Sequence, residues 1–66
     1  MKLEEVVEKA EEFLEKRRYN FFKLEKIVRE DKIWNLLFDV GVFDVKNLEI
    51  KIDDNTGRVV SFEKLQ

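Results

Sequence analysis

Two short stretches of this 66-residue chain carry side chains able to do chemistry. Asp53-Asp54-Asn55-Thr56-Gly57 gathers two carboxylates, an amide and a hydroxyl in the order D-x-N-x-G that opens a calcium-binding loop. That loop closes with a bidentate Glu at its twelfth position, and position 64 is Lys64, so no metal is expected here. The same residues suit a hairpin turn, because Asp and Asn bond to nearby backbone and Gly accepts a left-handed φ. The second stretch is Lys16-Arg17-Arg18, followed by Tyr19 and Lys23. Its cations could hold phosphates while Tyr19 or Phe21 stacks on a base. Beyond these, the chain has no His and no Cys, so nucleophilic triads and thiol chemistry lack their usual base or nucleophile. Ser61, the sole serine, lies between Val60 and Phe62 in a strand pattern. No catalytic residue, cofactor or metal ligand is assigned, and the chain is not expected to be an enzyme.

Charge ranks the two stretches further. Charged residues make up 42% of the chain, yet the net charge is −2, so the two signs nearly cancel. A dedicated nucleic-acid binder would show a basic excess. Within the cluster Lys16, Arg17, Arg18 and Lys23, the first three also suit a helix C-terminus, where cations complement the dipole. A nucleic-acid-associated role through these four residues is therefore the second reading, not the first.

The elements that position these residues follow from periodicity. Leu3, Val6, Val7, Ala10, Phe13 and Leu14 recur at spacings of three and four among Glu and Lys, which predicts an amphipathic helix over 2–17. Alternation predicts strands over about 21–29, 33–42, 47–53 and 58–64. In the central one, Trp34, Leu36, Phe38, Val40 and Val42 share a face. Pairing Val28 with Trp34 sets Leu24 opposite Phe38, and pairing Ile52 with Val60 sets Ile50 opposite Phe62. Lys26 interrupts the apolar face of the first strand and marks a candidate bulge near residues 25–27. The expected fold is α+β: an N-terminal helix packed on one face of a four-stranded antiparallel meander, in a single domain spanning 1–66.

One helix cannot cover both faces of such a sheet. The odd positions leave Ile27, Ile33, Leu37, Val45 and Val59 as a candidate partner-binding patch. At this length a single core barely offsets chain entropy, and disulfides and a zinc site are ruled out by composition. A second copy of the chain would supply the missing burial, so a homodimeric interaction module is the leading expectation. The abundance of Lys and Glu without Cys or Pro is thermophile-like. The acidic N-terminus lacks the apolar core of a signal peptide, and no apolar run approaches the roughly 18 residues of a span. Cytoplasmic localisation is expected, with no membrane as a partner.

The stretch Leu48-Glu49-Ile50-Lys51-Ile52-Asp53-Asp54-Asn55-Thr56-Gly57-Arg58-Val59-Val60 resembles the V-x-V/I-D-x-x-T-G-x-V ending of PepSY-type domains. These are small modules, found in protease propeptides and regulators, in which a helix precedes an antiparallel sheet. Element order and total length are similar over nearly the whole chain. The resemblance implies the same topology, and no functional residue is carried over from it.

Overall fold

The computed structural model describes residues 1–65. Helix α1 spans Leu3–Lys16, and its buried positions Val6, Ala10 and Leu14 follow one another at i, i+4, i+8. This is the stripe a 3.6-residue period aligns on one side. At its start the Glu5 carboxylate accepts the Lys2 backbone N–H at 2.9 Å. At its end the Tyr19 N–H returns to the Leu14 carbonyl and the Arg18 N–H to the Glu15 carbonyl, at 3.1 and 2.9 Å. That bonding is a Schellman close, with Arg18 in the left-handed position at φ +67°.

Four strands follow: β1 Lys23–Glu30, β2 Ile33–Asp39, β3 Asn47–Asp53 and β4 Val59–Lys64. They form one antiparallel sheet in the order β1-β2-β3-β4, which makes the fold α+β with a meander. The helix lies against β2 and β3, the middle of the sheet. Val6, Ala10 and Leu14 meet Leu36, Phe38, Leu48, Ile50 and Ile52 in a fully buried core. Each large side chain so buried stabilises by about 1.5–3 kcal/mol.

Three departures from simple alternation shape the molecule. In β1, Leu24 pairs with Phe38 but Lys26 pairs with Leu37, so Glu25 is an extra residue. Beyond this bulge the parity reverses: Ile27 pairs with Leu36 and packs on the core, Arg29 pairs with Trp34, and Val28 turns outward. In β4, Ile50 pairs with Phe62 while Ile52 pairs with Val59, which leaves Val60 as the extra residue. Val59 packs on the core and Val60 is exposed. Finally, β2 stops at Asp39, not at residue 42. The Asp39 carboxylate takes the backbone N–H groups of Gly41 and Lys46, and the Val40 N–H bonds to the Lys46 carbonyl. These bonds turn Val40–Lys46 into a closed loop in place of a continued strand.

Candidate functional sites

The outer face of the sheet, opposite the helix, is built from cross-strand rungs. Lys26, Leu37, Glu49 and Glu63 align on one, and Val28, Asn35, Lys51 and Ser61 on the next. Leu65, whose N–H bonds to the Asn47 carbonyl, extends over this face. Val28, Leu37 and Leu65 line a shallow groove, bordered by Lys26, Glu30, Asn35, Glu49 and Lys51. Ile33 shares the parity of Asn35 and Leu37 on β2 and lies half-buried at the end of the same face. Of the five residues expected as a patch, Ile33 and Leu37 are here. Ile27 and Val59 pack on the opposite side because each follows the reversed parity of its bulged strand. Val45 lies apart, exposed in the loop between β2 and β3. Val28 and Val60 are exposed residues that alternation placed on the core face, and only Lys26 on an otherwise apolar face signalled the first bulge.

The basic cluster lies where α1 ends. The Arg17 guanidinium sits over the rings of Phe13 and Phe62, at 4.7 and 4.8 Å from their centroids. Those rings meet edge to face at 5.2 Å, so the arginine caps a joint between the helix and β4. Lys16, Arg17, Tyr19 and Lys64 surround one open hollow beside these rings. Arg18 is exposed in the turn beyond it. Lys23 stands apart, opposite Asp39 at the start of β1. Lys64 joins the cluster from the far end of the sequence, with no local signal to place it there.

The D-x-N-x-G stretch is occupied by its own turn. Asp53 Oδ1 accepts the N–H groups of Asn55 and Thr56 at 2.7 and 3.3 Å. Gly57 takes φ +72° and donates to the Asp53 carbonyl at 2.8 Å. Asp54 points the other way and ties three parts of the chain together. Its Oδ1 accepts from the Trp34 indole at 2.8 Å and from the Met1 amino group at 3.0 Å, while Arg29 approaches Oδ2 at 3.3 Å. The indole N–H, then the amino group, then Arg29 hold the Asp54 carboxyl below its ordinary range. The N–H groups of Gly41 and Lys46, helped by the charge of Lys23, do the same for Asp39. Among the described residues, no group of three or more acidic side chains is placed to hold a metal ion.

Compared with protein-family models, with curated proteins and with solved structures, the chain matches none of them.

Proposed function

We propose that this chain is a non-catalytic protein-interaction module that pairs with a second copy of itself through the outer face of the sheet. The observation that carries this reading is the groove of Val28, Leu37 and Leu65 on a face that α1 does not cover. Its charges are arranged for a two-fold partner. On one rung Leu37 is flanked by Lys26 on one side and Glu49 on the other. A second copy rotated by half a turn about β2 sets Leu37 against Leu37. It also brings Lys26 of each copy toward Glu49 of the other, as an isologous contact requires. Burial of Val28, Leu37 and Leu65 then supplements a core that is small for a freestanding domain.

Light scattering at micromolar concentration tests this directly, with a dimer mass expected for the native chain. Leu37→Asp is expected to give a monomer with unchanged far-ultraviolet circular dichroism, since Leu37 faces away from the core. A native chain that scatters as a monomer throughout that range sinks the proposal.

A further inference from the structure

The end of the molecule where the helix finishes is both apolar and basic. Val42, Phe43 and Val45 in the loop Val40–Lys46 are 72%, 97% and 62% exposed. The loop is held in shape. Its neck is closed by the Val40 N–H on the Lys46 carbonyl at 2.9 Å, and by the Asp39 carboxylate on the N–H groups of Gly41 and Lys46 at 3.0 and 3.2 Å. Inside, the Asp44 carbonyl fills the space where a Cβ on residue 41 would lie, so the path is one that only Gly41 permits. None of these bonds involves an apolar side chain. The three hydrophobic residues are projected into solvent by a braced loop, which distinguishes them from scattered surface apolars.

Cations from separate elements lie at this same end of the fold. Lys16, Arg17 and Arg18 come from the helix end, Lys23 from the start of β1, Lys46 from the loop neck and Lys64 from the end of β4. Over residues 15–24, 38–48 and 64–65 these six cations meet only three carboxylates, Glu15, Asp39 and Asp44. The chain as a whole is net −2, so this local excess of cations runs against its overall charge. Arg18 keeps its charge at a backbone position that favours glycine.

We infer that this end docks on an anionic lipid surface. Val42, Phe43 and Val45 enter the boundary between headgroups and acyl chains, and the Lys and Arg side chains of this end lie on the lipid phosphates. The cations are spread over four elements, which suits a charged plane better than a single phosphate. No helix among the described residues is long and apolar enough to cross a membrane, so the contact is one of surface attachment. This inference is independent of self-association through the sheet.

The test is flotation of the full chain with vesicles of phosphatidylglycerol and phosphatidylcholine, against vesicles of phosphatidylcholine alone. Binding to the anionic vesicles is expected, at least roughly tenfold tighter than to the neutral ones. Phe43→Ser should weaken it by roughly tenfold or more, with circular dichroism unchanged because the ring is almost wholly exposed. In a Phe43→Trp variant, emission should shift to the blue when anionic vesicles are added. Trp34, far from this loop beside Asp54, should leave the emission of the native chain unmoved. Absence of binding, or equal binding by Phe43→Ser, overturns the inference. So does a DNA or RNA oligonucleotide that binds more tightly and displaces the vesicles, which would assign this end to nucleic acid.

Discussion

Arg18 adopts the backbone conformation that helix ends usually give to glycine. An L-residue there costs about 1–2 kcal/mol, part of which a glycine returns through its freer unfolded chain. Arg18→Gly is expected to stabilise by about 0.5–1 kcal/mol, read as a higher urea midpoint. The same substitution removes a cation from the basic end, so stability and charge are opposed at this position. Asp54 makes the other prediction at this scale. Its folded pKa, like that of Asp39, lies below the model-compound value of 3.8. Between the folded value and 3.8 the unfolded chain binds protons that the folded chain refuses, so stability rises with pH across that window. It is fully present above the unfolded value and lost as pH falls through the folded one. Urea midpoints measured from neutral to strongly acidic pH should show that decline, and Asp54→Asn should flatten it. The turn residues Asp53 and Gly57 could be read from their types alone. The bond from Trp34 to Asp54 could not, because it joins residues whose proximity only the finished sheet creates.

At the scale of elements, α1 and the order of the strands could be read because apolar residues recur at helical spacing in α1 and alternate cleanly in β2 and β3, with short polar turns beside them. What escaped was parity. A single extra residue reverses every side chain beyond it, and alternation carries no record of the insertion. Glu25 was betrayed by Lys26, a cation where an apolar residue belonged. Val60 was not, because Val59 and Val60 are the same residue type and either could face the core. The end of β2 was hidden for a related reason. Val40 and Val42 continue the alternating pattern, yet the Asp39 carboxylate captures the next N–H groups and bends the chain away. The bulge in β1 makes a sharp prediction. Ile27→Ala should destabilise by about 2 kcal/mol, since Ile27 packs on the core. Val28→Ala should cost less than about 0.5 kcal/mol in the isolated chain. Thermal unfolding of the two variants checks it, and equal effects would contradict the register.

The whole molecule measures 35 × 20 × 17 Å and places its features at separate locations: an outer sheet face and an apolar basic end. If the outer face pairs two copies, folding and association are linked, and the melting temperature should rise with protein concentration. Calorimetry over a dilution series reads this, and Leu37→Asp should abolish the dependence. The two bulges also acquire a meaning at this scale. They fall one on each outermost strand, β1 and β4, where unpaired backbone groups would otherwise present an even row to a passing chain. An interrupted row is a poor template for cross-β growth. A pair joined face to face therefore has no regular rim from which a filament could be seeded.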